Sequence, residues 1–398
     1  MKSVAALLFV LLWGFFSLFH PGRTFTVDGA VSLDTVRSMG RGRLDVPETL
    51  VTRPGRGGLH YSLYGPLLAL VSLPGYALGS TIDPEPPGPG SRVFGWGDRF
   101  ALATNQWVSA AIGAVLFLAA REFGNSARRS TTFAVAACLS TMVLPYSRDF
   151  FTQPLAALLV LLAGYFLLST TDGRGERVRF ASGCAFGLAI LARMDMGILL
   201  PGFLVWIGIE AWGDRSRVFR SLRAFAVPVL GCLALLLLFD RFRWGSWAGA
   251  PYGDQRFDRP LVDTIPRLLF SPELSVLLYN PLLVPSFLAT PFLWKERKAL
   301  CLGIAAMNLC YLVLVGKYND FHGGLCPGPR YLLALVPIGL LPLAAALGTP
   351  RAIPAWLIAA LCLCFLVGLG MNGYEVSVDY TAAPRAREFW TALLSPGP

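Results

Sequence analysis

Along this chain, long apolar runs return again and again, each broken by a short cluster of charge. A helix needs roughly 20 apolar residues to cross the hydrocarbon layer of a bilayer. Runs that meet or approach this length lie near residues 4–20, 100–120, 131–147, 154–170, 180–192, 196–212, 224–240, 275–293, 299–316, 331–348 and 352–371. They do not alternate polar with apolar positions, so helices and not barrel strands are predicted. The expected class is an all-α integral membrane protein with about eleven transmembrane helices.

The loops between runs alternate in character. Four are basic: Arg121 with Arg128 and Arg129; Arg174 with Arg177 and Arg179; Arg215 with Arg217, Arg220 and Arg223; and Lys295 with Arg297 and Lys298. The positive-inside rule makes these cytoplasmic and puts the N-terminus on the same side. Counting Tyr61–Gly79 as a span would turn every later basic loop outward. The steps Gly65-Pro66 and Pro74-Gly75 suit instead an interfacial or re-entrant segment within a long first outer loop. The expected organisation is therefore a polytopic domain over 1–371, with outer loops at 21–98, 241–274 and 317–330, followed by a short outer tail, 372–398.

Composition agrees with lipid as the main solvent: 55% of the 398 residues are hydrophobic and 15% charged, too little polarity for a water-facing globule. The net charge of +10 would suggest nucleic acid in a soluble protein; here it raises the question of which side of the membrane holds the arginines, and no nucleic-acid partner is expected. Of eight cysteines only Cys326 falls in a loop, and no CxxC pair occurs, which argues against a zinc site or a disulfide framework. The apolar stretch after Lys2 lacks a small-residue cleavage site and reads as an uncleaved first span.

The predicted outer face is unexpectedly rich in arginine: Arg23, Arg37, Arg41, Arg43, Arg53, Arg56, Arg148, Arg193, Arg241, Arg243, Arg256, Arg259 and Arg330. Long loops escape the positive-inside rule, so the short ones are the informative ones. Arg148 and Arg193 sit in tight connections, where a guanidinium either snorkels and pairs with nearby Asp149 or Asp195, or binds phosphate at the membrane surface.

Three segments carry candidate chemistry. From Thr26 to Met39 the spacing suits an amphipathic surface helix beginning near Asp28, which serves either as the helix cap or as a carboxylate taking a proton from an incoming hydroxyl. Asp34, six residues on, cannot share its face cleanly, and Arg37 follows. His60, Tyr61 and Tyr64 lead into the re-entrant segment as interface anchors or as rings against which a sugar stacks. The third segment, Lys317–Tyr331, holds His322, a loop hydrogen-bond partner or a base. Its tight turn ends with Arg330 on the first turn of the next helix, where guanidinium and helix end would act together on an anion.

The order of these motifs carries a resemblance. A first span, an Asp-bearing outer loop, the Tyr61-Ser62-Leu63-Tyr64-Gly65-Pro66 segment, the run Tyr146-Ser147-Arg148-Asp149-Phe150-Phe151-Thr152-Gln153-Pro154, and the late Gly323-Gly324 with Pro327-Gly328-Pro329-Arg330-Tyr331 together resemble the bacterial GT-C membrane glycosyltransferases. The resemblance covers most of the chain and is closest to members related to protein O-mannosyltransferases, aminoarabinose transferases and mycobacterial arabinosyl or mannosyl transferases. It implies a hexosyl- or pentosyltransferase of the bacterial inner (plasma) membrane with its active site facing the periplasm. The donor would be a polyprenyl-phosphate sugar among the membrane lipids, and the acceptor a glycan, lipid or protein of the cell envelope. Asp28 maps onto the base or acceptor-positioning carboxylate. Arg148, Arg193 and Arg330 would hold the donor phosphate, and Asp34, Arg37, His60, Tyr61, Tyr64, His322 and Tyr331 would contact substrate.

Departures from the pattern are specific: Gly29 follows Asp28 where relatives carry a second acid, Gln153 stands in place of Glu, and Leu63 replaces a polar residue. A single carboxylate does not call for a metal, although a divalent ion stays open, and no cofactor or nucleotide-binding glycine pattern is present. The rival class is a polytopic transporter or lipid flippase, which would place ionisable residues at the bilayer midplane and show matching halves.

Overall fold

The computed structural model describes residues 2–83, 85–169, 175–247, 255–324, 326–349 and 354–377, and among them the architecture is almost wholly helical. Five helical stretches are long and apolar enough to cross a membrane: Trp96–Glu122, Arg215–Trp244, Lys298–Lys317, Arg330–Leu347 and Ala355–Ser377. Shorter apolar helices, Lys2–Ser17, Gln153–Leu168 and Leu283–Leu293, complete the bundle with Gly175–Ala192 and Leu200–Glu210.

Several of the eleven expected runs are broken by the fold. The 131–147 run becomes Ala127–Leu139 and a separate turn, Val143–Tyr146; the 275–293 run divides at Asn280. The break is held by polar side chains: Asn280 accepts from the Met142 amide at 2.9 Å and donates to the Val276 carbonyl at 2.8 Å, repairing backbone groups the interruption strands. The last helix runs past 371 to Ser377, burying Asn372 and Glu375, so these residues belong to the bundle; positions 378–398 of the expected tail lie outside the described residues.

Gly175–Ala192 lies between Gln153–Leu168 and Arg215–Trp244. Its glycines permit the close approach that lipid-embedded helices need: a Cβ on Gly183 would stand 2.2 Å from the Phe225 carbonyl oxygen. The outward faces of Arg215–Trp244 and Ala355–Ser377 carry exposed leucines, among them Leu230, Leu238, Leu363 and Leu366, as a lipid-facing surface requires.

The first long loop folds over one end of the bundle. Val27–Met39 is not a surface helix; Val31 to Ser38 are all buried, packed against Leu67–Ser80 and Trp96–Leu102. A two-stranded antiparallel ribbon, Thr52–Pro54 with His60–Ser62, pairs Arg53 with Tyr61 and turns through Gly57 and Gly58 at positive φ. The proposed re-entrant stretch is the 14-residue helix Leu67–Ser80, interrupted by Pro74 and too short to count among the spanning helices.

Candidate active site

Asp28 is not a helix cap. Thr26 takes that role, its Oγ1 accepting from the Gly29 amide at 3.1 Å with the extended backbone a cap adopts. Asp28 thus sits in the first turn with its carboxylate turned to other partners. Arg330 Nη1 donates to Asp28 Oδ2 at 2.8 Å, and the Tyr64 hydroxyl lies close to the same carboxylate. Burial and the Asp28 charge push the Tyr64 phenol well above its usual range, so it stays protonated.

The backbone around Tyr64 is fixed from two sides. Gly65 passes so close to the end of Gly175–Ala192 that a Cβ would meet the Leu191 carbonyl oxygen at 2.0 Å. On the other side, Arg243 Nη1 donates to the Tyr64 carbonyl at 3.0 Å and also to that of Ser62, while its Nη2 binds Asp240 Oδ1 at 2.6 Å.

Arg193 follows the last residue of its helix and is held by Asp195 in a two-pronged contact of 3.1 and 2.7 Å. Tyr311 donates to Asp195 at 2.7 Å, and Arg193 Nη1 donates to Thr152 at 3.3 Å. Burial opposes the guanidinium charge most strongly, but Asp195, Tyr311 and Tyr331 together outweigh it and keep Arg193 above its ordinary value. Arg330 opens the helical stretch Arg330–Leu347, whose first turns, Arg330–Leu335, are 3-10 rather than α. Its guanidinium lies 5.2 Å from the Phe151 ring and 5.1 Å from that of Tyr331.

Asp28, Tyr64, Arg193, Arg330 and Tyr331 all line one cavity of about 1050 Å³. Further polar lining includes Gln153, Asp195, Asp240, Arg243 and Asp320, and Leu50, Val51, Leu63, Leu236, Trp244 and Phe257 are among its apolar lining. A second hollow of about 10 Å³, the size of one water, adjoins it between Asp28, Ser32, Thr152, Gln153 and Arg193. Gln153 is 2% exposed, and its Oε1 has no hydrogen-bond partner. Among the described residues, no three His, Cys, Asp or Glu side chains come together as metal ligands.

Other candidates lie elsewhere. Arg148 stands behind the cavity wall, its guanidinium 4.2 Å from the Phe25 ring and its Nη1 donating to the Val376 carbonyl at 2.5 Å, which ties the last helix to the bundle. Asp34 and Arg37 form a buried knot with Asp98: Arg37 contacts Asp98 twice at 2.8 Å and Asp34 at 3.1 Å, and also caps the Ser91 and Val93 carbonyls. Burial raises the Asp34 carboxyl against the pull of the Gly90 amide and Arg37. Tyr61 packs edge-on against Trp244, with ring centroids 5.7 Å apart, and His60 lies 3.9 Å from Glu48 in the ribbon. His322 stacks on Phe321 and faces Asp320 at 3.5 Å, outside the cavity lining.

Comparison with known proteins bears on this arrangement. Residues 90–240, less than half of the chain, match the family model for dolichyl-phosphate-mannose-protein mannosyltransferase. The fold matches ArnT from Cupriavidus metallidurans bound to undecaprenyl phosphate, with TM-score 0.59 and 14% identity over 94% of this chain and 65% of that one. The chain has the GT-C glycosyltransferase fold. The Archaeoglobus fulgidus oligosaccharyltransferase in its apo form also shares it, with TM-score 0.58 and 12% identity over 99% of this chain and 58% of that one. So does AglB from the same organism in complex with an inhibitory peptide and a dolichol-phosphate, with TM-score 0.53, 12% identity and 60% of that chain covered. The chain thus spans less than two thirds of each of these GT-C proteins, and no curated protein sequence matches it.

Within the GT-C fold, sequence reasoning did not single out Asp240 and Arg243. Arg243 was one outer-face arginine among thirteen, and its spacing three residues after Asp240 was the available signal. Asp195 was seen only as a neighbour of Arg193, and Tyr311 lay hidden inside an apolar run.

Proposed function

We propose that this protein is a membrane glycosyltransferase that moves a hexosyl or pentosyl group from polyprenyl phosphate to a hydroxyl of a cell-envelope glycan, lipid or protein. The carrying observation is that the Asp28 carboxylate shares a largely apolar cavity with the guanidinium groups of Arg330 and Arg193. The likeness to proteins solved with undecaprenyl phosphate and with dolichol-phosphate supports a lipid-phosphate donor. In this reading the apolar wall receives the first isoprene units, and Arg330 and Arg193 hold the phosphate.

The transfer balances without a cofactor. The acceptor oxygen forms a bond to the anomeric carbon as that carbon's bond to the phosphate oxygen breaks; the hydroxyl proton passes to Asp28, and the electron pair of the broken bond stays on the phosphate. Arg330 and Arg193 stabilise that growing charge. Tyr64 and the Arg243 clamp position Asp28 and touch no reacting bond. In this reading the cavity end of the bundle faces the periplasm of a bacterial inner membrane, an orientation that the positive-inside rule applied to the basic loops supports.

The test is transfer by the protein in nanodiscs, given a panel of polyprenyl-phosphate pentoses and hexoses with envelope extract as acceptor. Labelled product is expected from the wild type and none from Asp28→Asn. Release of sugar from no donor in the panel would overturn the reading, and donor translocation unaffected by Asp28→Asn would replace it with transport.

A further inference from the structure

Arg330 holds two tasks in one guanidinium, and its surroundings leave it one open edge. Phe151 and Tyr331 lie about its faces, with centroids 5.2 and 5.1 Å away. Its Nε has no partner and no exposed surface, because the backbone of Gly323 covers that edge: a Cβ on Gly323 would stand 3.0 Å from it. Of the terminal nitrogens, Nη1 donates to Asp28 at 2.8 Å and reaches Cys326 Sγ at 3.6 Å, while Nη2 makes only a long contact of 3.4 Å with the Tyr331 hydroxyl; this edge is the one an incoming anion would take over.

The other two cavity pairs differ. Arg193 with Asp195 and Arg243 with Asp240 are local, two and three residues apart. In the Arg330 pair the partner lies 302 residues away and is the carboxylate assigned above as proton acceptor. A carboxylate oxygen that accepts from a guanidinium cannot take a hydroxyl proton on that same lone pair.

We infer that the donor phosphate and Asp28 compete for Arg330, so that donor binding itself releases the base. This deepens the transferase reading and rests on it. Before donor arrives, Asp28 is capped. The phosphate then takes the Nη edge, Arg330 lets go of Oδ2, and the freed carboxylate, beside the Tyr64 hydroxyl, faces the acceptor hydroxyl. Binding order follows: donor first, acceptor second. After transfer Asp28 carries the acceptor's proton and the phosphate has become a monoester of charge near −1.5 to −2. Arg330 therefore stays with the product until Asp28 loses its proton to water and draws the guanidinium back, which aids release.

The experiment measures undecaprenyl phosphate affinity in nanodiscs for the wild type, Asp28→Asn and Asp28→Ala, with Arg330→Ala as control. Removing the competing charge is expected to tighten binding by about 5- to 20-fold in both Asp28 variants, and Arg330→Ala to weaken it at least about 10-fold. Thermal unfolding of each sample shows whether a variant is folded, and either Asp28 variant alone suffices. Equal or weaker binding by a folded Asp28 variant overturns the competition and leaves the transferase reading standing. Absence of measurable binding by the wild type overturns both.

Discussion

Gly323 lies directly against Arg330: a Cβ at the glycine would stand 2.7 Å from the arginine Cγ. The glycine also has φ +76, a backbone conformation that other residues adopt only with strain. Gly323→Ala is expected to cost about 1–3 kcal/mol in local strain and to push Arg330 from its seat. Transfer should fall at least about tenfold while the bundle remains folded, because a misplaced guanidinium loses its geometric advantage. Thermal unfolding beside a transfer assay checks this; an unchanged rate would show that the contact relaxes at no cost to the site.

Gln153 presents an unsatisfied oxygen to a space the size of one water, next to Asp28. Such an atom costs about 1–3 kcal/mol unless a ligand or water meets it. Gln153→Leu is therefore expected to raise KM for the acceptor about tenfold while undecaprenyl phosphate affinity stays as in the wild type. A change in lipid affinity with the acceptor KM unmoved would place Gln153 on the donor side.

Arg193 is positioned by Asp195, which Tyr311 holds in turn. Arg193→Gln should weaken undecaprenyl phosphate binding about 10- to 100-fold, the worth of one charge-assisted contact. Tyr311→Phe should weaken it by less, since the salt bridge survives. If both variants bind lipid like the wild type, Arg193 serves only to close the helix end.

Arg37 and Arg148 are expected to act on stability and not on donor binding. Arg37→Met would strand Asp98, which has no exposed surface, at a cost of about 3–5 kcal/mol. Folded Arg148→Gln protein should keep wild-type affinity for undecaprenyl phosphate, with a lower unfolding temperature. Loss of affinity at an unchanged unfolding temperature would return Arg148 to the phosphate site.

Cys326 lines the cavity, yet burial pushes its thiol up to about 12 from the ordinary 9.0. Thiolate is the reactive form, so its fraction at pH 8 is about a thousandfold below that of an ordinary thiol. Iodoacetamide labelling of the Cys326 peptide, followed by mass spectrometry, should be slow at pH 8 and still be rising at pH 10. A plateau below pH 9 would mean that the thiol is open to water.

The apolar runs made the membrane class legible, because roughly 20 consecutive residues without charge have one stable environment. Their count was not legible: whether Ser140 and Asn280 break a helix depends on partners such as Met142, which come from another part of the chain. Asp28 stood out in the sequence as the first acid after the first span, and Arg330 as a cation after a tight turn. That Thr26 and not Asp28 caps the helix is a matter of local backbone geometry, two residues from the predicted start.

Composition and the alternation of basic loops thus determined, unaided, that this is a helical membrane protein with unusual arginines in its non-basic-side loops. Only the tertiary structure sorted those arginines. Arg37 is sealed into a knot with Asp98, Arg148 ties down the last helix, and Arg330 reaches across 302 residues to Asp28. The reason is physical: hydrophobic burial is written along the chain as a local pattern, whereas the partner of a charge is whichever opposite group the packed helices bring within about 3 Å.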